Sequence, residues 1–157
     1  YVEGLKSVEG GYNRTGSRSP MQWDDSTNAG FSSAPASDLY IAMDPDKDRP
    51  TAKKEMAAPD SLYHEVKKLI RIRQSHKALQ SRGKITFVYA EKNAYPLAYI
   101  REDGDEKILV IINAAAEAKT FACDAEPKEA IYNFGAAAEA KNGKITVPAQ
   151  SAGFYRI

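Results

Sequence analysis

Cysteine is all but missing from this sequence of 157 residues. The single Cys123 excludes an internal disulfide and a cysteine-ligated zinc site. Its strand-like surroundings predict a buried, inert thiol acting as a small hydrophobe. Histidine occurs only at His64 and His76. They are too far apart for a helical metal pair, and neither has a nearby acidic orienter or nucleophile in a recognisable motif. No metal and no cofactor is therefore expected. Long apolar runs are missing too: the longest, Ile108 to Ile112, falls far short of the roughly 20 residues that span a bilayer. Nor does one charge sign dominate. The 22 basic and 21 acidic residues are interspersed and sum to +1, which leaves no basic face for nucleic acid or an anionic membrane. What remains, 43% hydrophobic and 27% charged, is the composition of one globular domain, or of a small domain with an appendage.

Three regions differ in character. Residues 1–50 are rich in Gly, Ser, Asn, Asp and Pro and hold no period for long. Their scattered apolar residues (Tyr12, Met21, Trp23, Phe31, Leu39, Tyr40 and Ile41) argue against disorder and for an ordered, irregular excursion that needs a neighbour to lie on. The first 13 residues carry no initiator methionine, cap or periodicity. The sequence is expected to begin inside a longer polypeptide, and no compartment follows from it. From Thr51 the pattern turns helical. Thr51 can cap a short helix over 52–57, Pro59 breaks it, and Asp60 or Ser61 caps a longer one. Leu62, Val66, Leu69 and Ile70 share one face of that helix. The basic run Lys67, Lys68, Arg71 and Arg73 reads as a solvated face suited to the helix C-terminal half.

After Gly83 the period becomes two. Strands are expected at 84–89, 97–101, 108–112, 119–123, 130–134, 144–147 and 153–157, the third of them buried on both faces. Asn142-Gly143 signals a tight hairpin. The expected fold is mainly β, with an irregular loop segment and one long helix leading into an antiparallel, Greek-key-like β-sandwich. The boundary between the two parts is placed between residues 81 and 82.

The densest motif is Ser17-Arg18-Ser19-Pro20-Met21-Gln22-Trp23-Asp24, continued by Asn28-Ala29-Gly30-Phe31. By itself it predicts a rigid loop: Pro20 fixes the backbone, Trp23 buries a large ring and Gly30 permits a sharp reversal. Arg18 offers a five-donor fork suited to a carboxylate or vicinal hydroxyls. These residues resemble the Arg-Ser/Thr-Pro-Met-Gln-Trp-Asp and Asn-Ala-Gly-Phe segments of the exo-acting α-amylase superfamily (glycoside hydrolase family 13), the branch of α-glucosidases, oligo-1,6-glucosidases and trehalose synthases. Pro59 to Leu62, the helix over Tyr63 to Gln74 and the Asn-terminated strand Val110 to Asn113 follow in the order that resemblance requires.

The resemblance implies that residues 1–81 are the last loop and helix of a (β/α)8 barrel and that 82–157 are its C-terminal sandwich. Barrel active sites lie at the strand C-terminal ends, so the motif loop would rim a sugar pocket, with Arg18 as a substrate-side residue. The implied partners are an α-glucan oligosaccharide and the upstream barrel of the same polypeptide. A retaining glycosidase needs two carboxyl groups about 5–5.5 Å apart. Relatives carry them on earlier strands, so no catalytic residue is assigned here and the chain alone is expected to be inert. Two alternatives are a carbohydrate-binding or structural module, and a piece of a non-catalytic amylase-like homologue. Tyr89, Tyr95, Tyr99, Tyr132 and Tyr155 would serve a sugar-stacking platform or a core equally well.

Weaker patterns were weighed beside these. Asp44, Asp46, Asp48 and Glu55 have part of a calcium-loop spacing, but Arg49 stands where glycine is needed. Asp24 and Asp25 are adjacent and are expected to point apart. Asn13-Arg14-Thr15 fits a glycosylation acceptor pattern.

Overall fold

The computed structural model describes residues 18–157, and before them only the backbone of β1 (Val8–Glu9) and β2 (Tyr12–Asn13). These two short strands pair antiparallel inside the segment expected to be irregular. Arg14 and Thr15 of the acceptor pattern lie outside the described residues. The chain forms two compact units, residues 1–68 and 69–157.

In the first unit the motif loop leads to helix α1 (Ala52–Ala57) and the start of α2 (Leu62–Ser75). Thr51 caps α1 as expected: its hydroxyl accepts the Lys54 N–H at 3.2 Å. Ser61 begins α2, its carbonyl accepting the Glu65 N–H and its hydroxyl facing the His64 N–H at 3.5 Å. The apolar stripe read from the sequence is there but unpartnered. Leu62 is 73% exposed, Val66 45% and Ile70 52%, and α2 buries no residue among the described residues.

The second unit runs from the end of α2 through a 3-10 turn at Lys77–Leu79 into eight strands. These are β3 (Lys84–Tyr89), β4 (Leu97–Asp103), β5 (Glu106–Asn113), β6 (Lys119–Ala122), β7 (Glu129–Phe134), β8 (Glu139–Lys141), β9 (Lys144–Val147) and β10 (Ser151–Arg156). All pairings are antiparallel. A five-stranded sheet has the order β3-β4-β5-β10-β7 and a three-stranded sheet the order β6-β9-β8. The Asn142-Gly143 turn joins β8 to β9 with φ of 52° and 71°, the positive values that make asparagine and glycine the residues of choice.

Register explains the core. Ala98, Leu109, Ile111 and Tyr155 lie on one face of the large sheet and meet Phe121, Cys123, Ile145 and Val147 of the small one. The opposite face of β5 carries Ile108 and Val110, covered by Ala78 and Leu79 of the 3-10 turn. Strand β5 is thus buried on both faces, as its unbroken apolar run requires. Cys123 is buried, and burial raises its thiol pKa. Strand β8 escaped the sequence reading because all three of its residues are exposed.

Candidate functional site

The motif loop is built on three successive residues with positive φ: Asn28 (49°), Ala29 (53°) and Gly30 (72°). That path turns the buried Ala29 carbonyl back to accept the Trp23 N–H at 2.8 Å and the Asp24 N–H at 3.2 Å. A Cβ on Gly30 would lie 3.0 Å from Asp24 Oδ1, so glycine suits both the backbone and the space. Asn28 closes the second half of the loop, its Nδ2 donating to the carbonyls of Ser32 and Ala34 at 2.9 and 2.8 Å. The loop is then fixed to α1. Two N–H groups of its first turn, those of Ala52 and Lys53, have no intrahelical acceptor and donate to the Gln22 and Trp23 carbonyls at 2.8 and 2.9 Å.

The carboxylates of the motif have separate partners. Asp24 accepts from the Ser26 hydroxyl and N–H, which hold it below the usual carboxylate range. Asp25 pairs with Lys54 Nζ at 3.0 Å. Asp44 and Asp46 accept backbone N–H groups two residues on, from Asp46 and Asp48, and so shape their own turn. Arg18 is exposed at the start of the described loop. Trp23 departs from expectation: the residue is 52% exposed among the described residues, while its backbone N–H and carbonyl anchor the loop. Met21 and Phe31 of the same motif are each 49% exposed. Gln22 Oε1 and Arg49 Nε are buried and have no hydrogen-bond partner among the described residues.

The loop therefore presents apolar rings and polar groups from a stiff backbone, within a stretch whose kinship can be tested directly. The family model "Alpha amylase, catalytic domain" matches residues 3–82, just over half of the chain. The chain belongs to the α-amylase family. It is 30% identical over 135 residues to a glucan 1,6-alpha-glucosidase of Streptococcus pneumoniae, covering 86% of this chain and 24% of the relative. It is 34% identical over 108 residues to an oligo-1,6-glucosidase of Parageobacillus thermoglucosidasius, covering 69% and 18%. The crystal structure of the trehalulose synthase MutB from Pseudomonas mesoacidophila superposes with a TM-score of 0.75 at 30% identity, covering 91% of this chain and 26% of that one. This α-amylase-family chain thus spans about a quarter of the length of the relatives it matches.

Structure also separates the tyrosines that sequence left open. Tyr132 and Tyr155 are buried, and Tyr89 packs on Phe121 with ring centroids 5.5 Å apart. Tyr95 is the exposed member of the group, at 46%. A row of stacking rings is not formed by these five. Sequence also missed the partner of His76. Its Nδ1 lies 2.6 Å from Glu106 Oε1, a carboxylate 30 positions away that no local motif announces. His64 Nε2 instead meets the Met56 carbonyl at 3.0 Å.

Proposed function

We propose that this chain is the C-terminal part of a retaining hydrolase acting on α-glucosidic bonds of short oligosaccharides. Residues 1–81 would close its (β/α)8 barrel and residues 82–157 would form its terminal sandwich. The observation that carries this reading is the exposed stripe of α2. An amphipathic helix gains its stability by burying such a face, and this one lies within the residues matched by the catalytic-domain family. Gln22 Oε1 and Arg49 Nε, buried with no hydrogen-bond partner among the described residues, add support, since buried polar atoms are nearly always satisfied. The complement to both is the preceding part of the barrel. In this reading Arg18 faces the sugar pocket and hydrogen-bonds a carboxylate or the terminal glucose. The nucleophile and the acid/base residue come from earlier strands, and linkage preference is set there as well.

Two experiments test the proposal. The 157-residue chain should not hydrolyse 4-nitrophenyl α-glucoside; turnover that survives removal of contaminating enzymes would refute the assignment of catalysis to upstream strands. In the intact parent enzyme, Arg18→Ala should lower kcat/KM roughly ten- to hundredfold, the worth of one charge-assisted hydrogen bond. Unchanged kinetics would remove Arg18 from the pocket.

A further inference from the structure

Helix α2 and the sandwich are joined by the segment of residues 76–83. We infer that it is a clamped joint, gripped at one end by Glu106 and at the other by Arg101, so that the end of α2 from Leu69 onward and the sandwich behave as one rigid body. The grip at the first end comes from β5. Glu106 Oε1 accepts from His76 Nδ1 at 2.6 Å, and its Oε2 accepts the Ala78 N–H at 2.9 Å. At the second end Arg101 of β4 donates through Nη2 to the Gln80 carbonyl at 2.6 Å and the Gly83 carbonyl at 3.0 Å. Between the two grips Ala78 and Leu79 are buried against Ile108 and Val110. The backbone also folds tightly on itself: a Cβ on Gly83 would stand 2.2 Å from the Ala78 carbonyl oxygen. Segments that open easily have few buried apolar contacts and solvent-exposed backbone bonds. This one has buried contacts and charged anchors at both ends.

The charges around Glu106 fit the same role. Arg156 of β10 approaches it at 3.7 Å and is itself held by Glu129 of β7 at 3.1 Å. Asp103 lies opposite Glu106 in the β4–β5 register, and Ser75, Lys77 and Asp105 line the same shallow cleft. Burial acts to raise the Glu106 pKa, but the Ala78 N–H, His76 and Arg156 outweigh it and hold the carboxyl below the usual range. A depressed folded pKa contributes stability above the unfolded value, and that contribution is lost as pH falls through the folded one. The grip therefore persists at neutral pH and releases in acid.

Hydrogen exchange and trypsin cleavage of the full 157-residue chain read the joint directly. The Ala78 amide should be protected at neutral pH. Its protection, corrected for intrinsic exchange, should fall in acid while the amides of Ile108 to Ile112 hold theirs. Glu106→Ala should speed both Ala78 exchange and cleavage after Lys77 by at least about tenfold, the loss expected for one charged hydrogen bond, and Glu106→Gln should recover part of this. Arg101→Ala should do the same for cleavage after Arg82. An Ala78 amide that exchanges freely in the unaltered chain, or equal cleavage rates in all variants with the sandwich intact, would overturn the inference. If Glu106→Ala unfolds the sandwich, the pH profile of the unaltered chain decides alone.

Discussion

Replacing Asn113 by aspartate changes one atom type and almost no volume, yet the surroundings predict a large effect. Asn113 ends β5 and is 1% exposed. Its Nδ2 faces three carbonyl oxygens: Glu117 at 2.9 Å, Val147 at 3.2 Å and Pro148 at 2.8 Å. Its Oδ1 accepts the Ala115 N–H at 3.1 Å. One amide thus ties the end of β5 to the turn after it and to the β9–β10 connection. Asn113→Asp removes both protons of Nδ2 and sets an oxygen against those carbonyls. The two Nδ2 protons supply about two bonds' worth of interaction, so their loss costs about 2 kcal/mol, the stranded carbonyls add about 2 kcal/mol, and the buried charge adds to both. A destabilisation of about 4–5 kcal/mol at pH 7 follows, a large part of the stability of a typical domain. Asn113→Ala loses the Nδ2 bonds and the Ala115 bond as well but buries no charge, and should cost about 3–4 kcal/mol. The new carboxyl would have a folded pKa above its unfolded value of about 3.9, so its penalty must shrink as pH falls. Urea unfolding followed by circular dichroism at pH 7 and pH 5 measures this, with the Ala variant as the pH-independent control. A loss below about 1 kcal/mol for Asn113→Asp, or a loss that ignores pH, would show that this amide does not organise the turn.

Other expectations concern neighbouring devices. Gly153 lies under the Tyr155 ring, where an added Cβ would meet the hydroxyl at 2.4 Å; Gly153→Ala should cost about 2–3 kcal/mol by thermal unfolding. The same hydroxyl donates to Asn133 Oδ1 at 2.8 Å and accepts the Ala138 N–H at 3.0 Å. Tyr155→Phe should therefore cost about 1–2 kcal/mol in the same assay, and no loss would mean that water replaces both bonds. Thr51→Ala removes the α1 cap and should cost about 1 kcal/mol, confined to the first unit and visible as faster exchange at the Lys54 amide. Val66→Lys and Ile70→Glu, which break up the exposed stripe of α2, should reduce self-association in sedimentation without lowering the unfolding midpoint.

The elements legible in the sequence are those whose signal is local. Strand β5 announced itself because both faces are apolar, α1 because Thr51 and Pro59 bracket it, and the β8–β9 turn because only a few residues tolerate its backbone. Most strand bounds moved by no more than two residues. Strand β8 was missed because only its pairing with β9 defines it. The amphipathic face of α2 was visible, but periodicity says that a face will be buried and not what will bury it. Trp23 raises the same point: a large ring suggests burial, but residue identity does not say against what, and the backbone hydrogen bonds that hold its loop are not displayed in the sequence. His76 with Glu106 and Arg101 with Gln80 join positions more than 20 apart, and no single-sequence pattern reports such pairings. The motif around Arg18 was readable as a family signature, while of the three successive positive φ angles that shape it only those at Asn28 and Gly30 fall on residue types that signal them.

The order of strands in the large sheet has a consequence for synthesis on the ribosome. Strand β10 is made after the other seven strands of the second unit, yet it sits between β5 and β7 and supplies both with their hydrogen-bonding neighbour. Until residue 156 has left the exit tunnel, β5 has a bare inner edge and β7 has nothing to pair with. While residues 114–150 are being added, the nascent chain therefore carries an open edge at β5, the kind of edge that chaperones shield. A premature stop a few codons upstream of residue 151 would leave β3-β4-β5 paired but remove β7 from the sheet as well as β10.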